Sequence, residues 1–350
     1  MIRTVPKRPS RHDEEHAAPA STVSRGSAAA KKPTTWSSWT PRALLAWSLL
    51  YSALQAYWTF VAGPPRMSPV GVDLIAFSGW KAIVLCLAGA AITFALGRSG
   101  QRAAVQRLLV IASWAVSGML VVAAALFLLD VVGGLLPGIG VQFFPLGFLS
   151  RTACLVGAAL MAMVAVTHTR RLRGACGACG RLGATSRMER TPAWASVAAY
   201  LATAGCAVRI VAQLVVGFDS GGLGVGVSLV LFEIGFVLSG TLLPWALVHD
   251  WGRIFPRWVP GLAGRRVPRW LVLGPAAGIS IAMIVYFGMI LANMVGILLS
   301  GANDLGFGKG LPDAFYWVSV PVYWLWGAAL GFAALGYGRR TRPRCRQCGH

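Results

Sequence analysis

Runs of about 20 predominantly apolar residues recur along the chain, and they constrain the fold more than any other feature. As an α-helix, with a rise of about 1.5 Å per residue, such a run crosses the roughly 30 Å hydrocarbon core of a bilayer. Because lipid offers no hydrogen-bond partners to the backbone, these runs predict an all-α fold. We place about eight transmembrane helices, at residues 43–62, 74–97, 108–130, 147–167, 193–217, 228–249, 271–299 and 314–337.

Composition agrees with this assignment. The chain is 56% hydrophobic and 12% charged, whereas soluble domains carry roughly a quarter charged residues. Residues 1–42 precede the first apolar run, are rich in Ser, Pro, Ala and Arg, and predict a disordered basic tail. Because that first run starts late and has the full length of a transmembrane helix, the sequence does not predict a cleavable signal peptide.

The net charge of +21 is distributed according to the predicted topology. Most of the 32 Lys and Arg lie in the two termini and in the loops 98–107, 169–192 and 250–270, all on one side of the predicted bundle. The positive-inside rule makes this side cytoplasmic, so we expect a multi-pass cell-membrane protein with both termini in the cytoplasm. The basic segments are expected to contact the lipid bilayer at anionic headgroups. No nucleic-acid partner is predicted, because no recognition motif accompanies the charge.

The two halves of the chain resemble each other. Segment 71–78 (GVDLIAFS) matches 226–233 (GVSLVLFE) at an offset of 155, and segment 168–181 aligns with 337–350 at an offset of 169. Each half holds four predicted helices, an even number, so the duplication is parallel. We therefore divide the chain into the tail 1–42, a first four-helix half 43–182 and a second four-helix half 183–350. Parallel repeats occur in some transporters, whose binding sites lie between the repeats.

Each half ends in a cysteine pair with the spacing of a metal knuckle. The motifs are Cys176-Gly-Ala-Cys179-Gly and Cys345-Arg-Gln-Cys348-Gly. Two cysteines separated by two residues can turn both sulfurs toward one tetrahedral ion, and the following glycine permits the tight turn that this requires. Together the two pairs supply the four thiolates of one structural zinc site, which would join the two halves on the cytoplasmic side.

Other interpretations of the cysteines stay open. The pairs are alternatively redox-active or thiol-sensing groups, or thiols that bind no metal, and a stable disulfide is not expected in a reducing cytoplasm. A variant of the zinc site uses His168 or His350 as a ligand. The other three cysteines, Cys86, Cys154 and Cys206, lie within predicted helices and are expected to be small packing residues.

The loop 251–270 (WGRIFPRWVPGLAGRRVPRW) and the arginine-flanked knuckles resemble multi-pass membrane proteins of actinobacteria that have no assigned function. The resemblance covers the C-terminal part of the chain, residues 251–350. It implies a habitat and an architecture, and no activity. The loop itself predicts either an amphipathic segment at the level of the lipid headgroups or a compact connector braced by prolines.

Ionisable residues inside a membrane are costly, at about 2.5 to 3.5 kcal/mol or more each, and mark candidate sites. Arg209, Glu233 and Lys81 lie at similar depths in the outer half of the predicted bundle. Under the repeat, Arg209 takes the place of Gln55 and Glu233 the place of Ser78. The candidate polar residues are Arg209, Glu233, Gln213, Lys81 and Gln55, with Asp130 near the same boundary.

Two interpretations of this polar cluster remain. Arg209 and Glu233 lie on adjacent antiparallel helices and can form a buried ion pair that neutralises itself. Alternatively, the cluster lines a ligand or ion site that opens outward. Lys81 can also extend its ammonium group to the outer interface.

The sequence is consistent with three classes of function. The first is a permease with an outer-half polar site, and the second is a membrane scaffold or regulatory protein with a cytoplasmic zinc knuckle. The third is a lipid- or quinone-linked membrane enzyme, although the chain has no P-loop, HExxH or GxSxG motif and no catalytic residue is assigned. None of the three classes specifies a solute or a protein partner.

Overall fold

The computed structural model describes residues 36–63, 65–69, 77–98, 100, 102–182, 190–216, 226–255, 257, 261, 263–301, 312–345 and 347–348. Most of the predicted tail, the repeat segment 71–76 and His350 lie outside the described residues. The helices are α1 (Trp36–Tyr57), α2 (Trp80–Gly97), α3 (Ala103–Ala123), α4 (Phe127–Leu135), α5 (Pro145–Leu172), α6 (Ala193–Val216), α7 (Val227–Val248), α8 (Arg269–Leu299) and α9 (Asp313–Arg340), with a π-helical segment (Trp58–Ala62) after α1 and a 3₁₀ turn (Asp250–Gly252) after α7.

The all-α prediction is confirmed for the described residues, whose one β pairing is an isolated bridge between Ile254 and Arg266. Seven helical segments are long and apolar enough to cross a membrane: α2, the combined α3–α4 segment, and α5 to α9. Helix α1 is not one of the seven. Its apolar run is interrupted by Ser48, Ser52 and Gln55, all of which are buried. An eighth span therefore stays a prediction.

Helix boundaries differ from the predicted spans where local structure intervenes. The third predicted span is broken at 124–126, where a turn separates α3 from α4. Helix α1 begins at Trp36, before the predicted start at residue 43 and inside the predicted tail. Helix α5 begins with Pro145, a residue suited to the first helical turn because its missing N–H has no partner to lose there.

The helices pack in two groups with separate cores. Helices α1 to α5, here the first group, bury Leu120 and Met161 among their largest side chains, and α6 to α9, the second group, bury Trp326 and Leu330. The packing order is the same in both. Helix α1 contacts α2 and α5 as α6 contacts α7 and α9, and α3 contacts α5 and α2 as α8 contacts α9 and α7. The main contacts between the groups run through α8, which touches α3 and α4.

One end of the bundle carries both cysteine pairs, and we call it the knuckle face. Helices α5 and α9 end there, each followed by its knuckle. At the same end, Arg340 of α9 bonds the carbonyl of Val248, the last residue of α7, and the hydroxyl of Thr191, just before α6. The ends of α2 and α5 and the start of α3 also meet there, around a cavity lined by Gly97 and Gln106 among others.

The connector from α7 to α8 folds back on itself at the knuckle face. The Phe255 N–H donates to the Arg265 carbonyl at 2.9 Å, and the Val267 N–H donates to the Arg253 carbonyl at 2.8 Å. These cross-connections pair the two ends of the loop. The described part of the loop 251–270 therefore favours the compact connector over the amphipathic segment.

Candidate metal centre and buried polar clusters

The first knuckle is shaped by backbone hydrogen bonds directly after α5. The Cys176 N–H donates to the Arg181 carbonyl at 3.0 Å, and the Gly180 N–H donates to the Cys176 carbonyl at 2.7 Å. Gly180 has a φ of +73°, a backbone conformation that favours glycine, which accounts for the glycine after the second cysteine. The Arg170 guanidinium braces the turn by donating to the Gly177 carbonyl at 2.9 Å.

The structure brings the four predicted thiols together. The Cys176 and Cys345 sulfurs lie 4.0 Å apart, and the Cys179 and Cys348 sulfurs lie 3.4 Å apart. All four sulfur atoms fall within 4.8 Å of one another. Four sulfurs at about 2.3 Å from a central zinc would be about 3.8 Å apart in a regular tetrahedron. The donor set and its spacing therefore fit one tetrahedral metal ion.

Backbone donors favour the thiolate form at the first position of each knuckle. The backbone N–H groups three and two residues after Cys176 lower the pKa of its thiol to about 6. The equivalent N–H groups lower the pKa of Cys345. Burial raises the pKa of Cys179 to about 11, so in the metal-free cluster this thiol keeps its proton. Because thiolates bind metal, the lowered pKa of the first cysteine in each pair favours metal binding.

The other three cysteines and His168 are not members of the four-thiol cluster. Cys86, Cys154 and Cys206 are buried in α2, α5 and α6, as expected for packing residues. His168 lines a separate cavity at the knuckle face. His350 lies outside the described residues. A closed set of four thiolates leaves no open coordination position, which is typical of a structural metal site and not of a catalytic one.

The predicted polar residues Arg209 and Glu233 form a bidentate ion pair between α6 and α7. One guanidinium nitrogen bonds Oε2, and the other donates to Oε1 at 2.6 Å. The Arg209 Nε donates to the Tyr323 hydroxyl at 3.3 Å, and the Phe236 ring lies 4.5 Å from the guanidinium carbon. Arg209 is only 5% exposed. This geometry matches the ion-pair interpretation, since each of the three guanidinium nitrogens bonds a protein group.

The first group holds a cavity where the second group holds this ion pair. Gln55 is buried and donates from Nε2 to the Tyr51 hydroxyl at 3.0 Å. Gln55 and Ser78 both line a cavity of about 130 Å³. These are the two residues that the repeat matches to Arg209 and Glu233. Gln55 lies in α1 as Arg209 lies in α6, whereas Ser78 precedes α2 and Glu233 lies within α7.

The other two predicted polar residues are Lys81 and Gln213. Lys81 is exposed, one residue after the start of α2. Gln213 is half-buried on α6, one turn after Arg209. The described partners of Arg209 include Glu233, Tyr323 and Phe236.

Sequence reasoning missed a second buried ion pair, in the first group. Arg151 donates to Asp130 at 2.6 Å and to the Met67 carbonyl at 3.1 Å. Asp130 is fully buried and Arg151 is 7% exposed. A signal was present, because the two residues flank one short connection between adjacent helices. The carbonyl of Met67 comes from a distant loop and could not have been anticipated.

A third ion pair, also missed, closes the knuckle face of the second group. Arg340 donates to Asp250 at 2.6 Å and to the Thr191 hydroxyl at 2.6 Å. Its guanidinium is almost fully buried, whereas the Asp250 side chain is largely exposed. The repeat aligned Arg340 with Arg171, but it gave no indication that the two arginines differ in surroundings.

An apolar cavity of about 460 Å³ separates the two groups. It lies between α4, α7 and α8, and its walls include Phe232, Phe236, Met283 and Trp326. Phe236 forms both a wall of this cavity and the face on which the Arg209 guanidinium lies. The charged pair is therefore shielded from the cavity by an aromatic ring.

No family model, curated protein or solved structure matches this chain. Its class is defined by its own features, which are seven helical segments of membrane-spanning length and apolarity and a cluster of four thiols at one end of the bundle. These features are those of an integral membrane protein with a possible metal centre.

Proposed function

We propose that this is a multi-pass cell-membrane protein of the scaffold or regulatory class, in which one structural zinc ion joins two four-helix halves on the cytoplasmic face. The observation that carries the proposal is the approach of four sulfur atoms to within 4.8 Å. Two come from the knuckle after α5 and two from the knuckle after α9. A metal bound there links the ends of the first and second groups.

The parallel duplication belongs to the same proposal. The packing order of α1, α2, α3 and α5 repeats in α6, α7, α8 and α9. Cysteines that are equivalent under the offset of 169 also face each other, Cys176 with Cys345 and Cys179 with Cys348. Such pairing of equivalent residues is expected around a two-fold axis along the membrane normal. We count α1 with its π-helical segment as the eighth span, equivalent to α6.

The orientation rests on charge and on thiol chemistry. Lys and Arg concentrate in the segments at the knuckle face, which the positive-inside rule assigns to the cytoplasm. Reduced thiols are also stable in that compartment. The membrane is then the actinobacterial cell membrane that the sequence resemblance implies. In this proposal the metal-linked knuckles are the surface through which a scaffold or regulatory protein would meet its partners.

The test is metal analysis of the purified full chain. We expect one zinc per chain in the wild type and a loss of zinc in Cys345→Ser. The matched control is Cys206→Ala, which removes a thiol buried in α6 and far from the cluster in sequence, and which should retain the zinc. Wild-type protein without stoichiometric zinc, or Cys345→Ser that keeps it, would refute the proposal.

A permease is the second candidate, and the cavity beside Gln55 favours it. This cavity of about 130 Å³ has a mixed lining in which Gln55, Thr59 and Ser78 supply polar side chains that could bond a small solute. In Gln55→Cys, a permease that alternates access would be labelled by an impermeant thiol reagent in both right-side-out and inside-out vesicles. Detection by mass spectrometry of the residue-55 peptide excludes signal from the other cysteines. Labelling from the outer side alone would contradict the permease.

A further inference from the structure

The cavity between the two helix groups has an almost wholly apolar lining. Its volume is about 460 Å³, and its walls come from α4 with its flanking residues, from α7 and α8, and from Trp326 of α9. Of its described lining residues, only Ser239, Tyr286 and Trp326 carry a side-chain nitrogen or oxygen atom. The Ser239 hydroxyl donates to the Phe236 carbonyl at 2.8 Å, and the Trp326 indole nitrogen is buried. The walls therefore offer very few polar groups to an occupant.

A cavity with such walls favours an apolar occupant over water. A buried water molecule makes about three hydrogen bonds to its surroundings, and these walls supply too few partners for that. An empty apolar cavity lowers stability in proportion to its volume, because the atoms that line it lose their packing partners. The cavity is therefore expected either to hold apolar matter or to be lost when the two groups close on each other.

The cavity lies in the half of the bundle away from the knuckle face. Helix α7 ends at the knuckle face, so its start lies at the opposite end of the bundle. The lining on α7 runs from Leu231, four residues after that helix begins, to Ser239. At about 1.5 Å per residue this stretch is about 12 Å long, close to the roughly 15 Å that one leaflet contributes to the hydrocarbon core. The apolar matter available at this depth is the acyl chains of that leaflet.

The volume of the cavity corresponds to a single chain. An engineered apolar cavity of about 150 Å³ holds one benzene molecule of six carbon atoms, so a volume about three times as large has room for about 18 carbon atoms. This is the size of one common fatty acyl chain. The second chain of a phospholipid would exceed the volume and remain in the bilayer.

We propose that this cavity binds one acyl chain of a membrane phospholipid from the leaflet opposite the knuckle face. The headgroup would lie near the level of Ser228, whose hydroxyl donates to the Pro137 carbonyl at 2.8 Å and joins the two groups at that end of the bundle. The bound chain adds apolar contact between two groups whose main direct contacts run through α8. The proposal does not depend on the metal centre.

Gly235 allows the cavity to be filled by substitution. It lines the cavity, and a Cβ there would meet nothing within 4 Å. Gly235→Phe therefore adds an aromatic ring from α7, and Ala282→Phe adds one from the wall that α8 supplies. Gly278→Phe is the matched control. Gly278 is also an exposed helical glycine with nothing within 4 Å of a Cβ, but it is not among the described lining residues.

The full chain would be reconstituted in nanodiscs of phosphatidylcholine and phosphatidylglycerol that contain a trace of phospholipid with a photoactivatable acyl chain. After illumination, mass spectrometry assigns the cross-linked residues. Met283 lines the cavity and is only 5% exposed, so a cross-link there reports a chain inside the cavity. Val197 of α6 is 57% exposed and is not among the described lining residues, so it reports general contact with the bilayer.

In the wild type we expect cross-links at both Met283 and Val197. Gly235→Phe and Ala282→Phe should each lower the labelling of Met283 relative to Val197 by about tenfold, because the added ring takes the volume of the chain. Gly278→Phe should keep the wild-type ratio. A single cooperative melting transition in each variant shows that the variant is folded.

Four results would overturn the proposal. The first is no label at Met283 in the wild type, which would show that the two groups close on each other. The second is a labelling ratio that is the same in Gly235→Phe and Gly278→Phe. The third is displacement of the label by an isoprenoid quinone at a concentration at which added phosphatidylcholine has no effect, which would make the quinone the occupant. The fourth is a native mass spectrum with a dimer in the wild type and a monomer in Gly235→Phe, which would make a second copy of the chain the occupant.

Discussion

The two helix groups differ at two locations that the sequence offsets match: the second group has ion pairs there, and the first group has cavities. In the second group, ion pairs fill both: Arg209 with Glu233 near one face and Arg340 with Asp250 at the knuckle face. In the first group, cavities of about 130 Å³ and about 350 Å³ lie at the matched positions. At these two positions the second group forms ion pairs, and the first group has cavities with polar side chains in their lining.

This difference predicts that substitutions in the two groups have different effects on stability. Buried charges are tolerated where each has a partner, and removing one partner exposes the full cost of burying the other. We therefore expect substitutions at the two ion pairs of the second group to cost more stability than substitutions at the matched positions of the first group.

The largest effect is expected from breaking the ion pair within the second group. Arg209→Gln leaves the Glu233 carboxylate without its bidentate partner and should lower the free energy of unfolding by about 3 to 5 kcal/mol. The double variant Arg209→Gln/Glu233→Gln should recover most of that loss. Gln55→Leu, at the matched position of the first group, should cost about 1 kcal/mol. Thermal unfolding of the purified variants in detergent measures all three, and additive losses in the double variant would disprove a mutual pair.

A smaller effect is expected from the matched arginines at the knuckle face. Arg340→Gln removes hydrogen bonds to Asp250 and Thr191 from a buried guanidinium and should cost about 1.5 to 3 kcal/mol. Arg171→Gln alters an exposed side chain and should stay within about 0.5 kcal/mol. Denaturant titration of the two variants compares them directly. Equal destabilisation by the two variants would contradict the difference in burial between Arg340 and Arg171.

Gly252 and Gly97, which the offset of 155 matches, differ in the space available for a side chain. A Cβ at Gly252 would overlap the Ala246 carbonyl oxygen, whereas a Cβ at Gly97 would meet nothing within 4 Å. Gly252→Ala should therefore lose about 1 to 3 kcal/mol of stability through forced backbone shifts. Gly97→Ala should be neutral to within about 0.5 kcal/mol. A calorimetric melting comparison would go against the account if Gly97→Ala were the more damaging change.

The smallest effect is expected at Tyr337, whose ring is buried at the knuckle face of the second group. Tyr337→Phe keeps the packed ring and loses only the hydrogen bond to the Gly252 carbonyl, which should cost about 1 kcal/mol. Tyr337→His should cost more, because it opens a cavity like that of the first group. If Tyr337→Phe lowered the melting temperature more than Tyr337→His, packing of the ring would contribute less than its hydrogen bond.

The sequence predicted the features that depend on short-range spacing. Apolar runs located the helices, and the CxxC spacing with its offset of 169 predicted that four thiols would meet. Arg209 and Glu233 were also recognised as possible partners, because adjacent antiparallel helices bring equal depths together. These inferences needed only helix geometry and topology.

Features that depend on tertiary packing were not predictable in this way. Arg151 bonds the carbonyl of Met67, which is remote in sequence. Arg171 is exposed and Arg340 is buried, and this difference depends on how the neighbouring helix ends pack. Lys81 was grouped with Arg209 by depth alone, and depth does not specify the direction in which a side chain points. Helix α1 was predicted as an ordinary span, although its buried Ser48, Ser52 and Gln55 lower its apolarity.

The central claim is that one metal ion joins the two groups through four thiolates, and X-ray absorption at the zinc edge tests it most directly. For the full chain loaded with zinc, the account predicts four sulfur neighbours at about 2.3 Å and no nitrogen or oxygen neighbour. Cys345→Ser should lose this signature, and Cys206→Ala should keep it. A first shell of two sulfurs completed by nitrogen or oxygen would contradict the account, because it would show that each knuckle binds metal on its own.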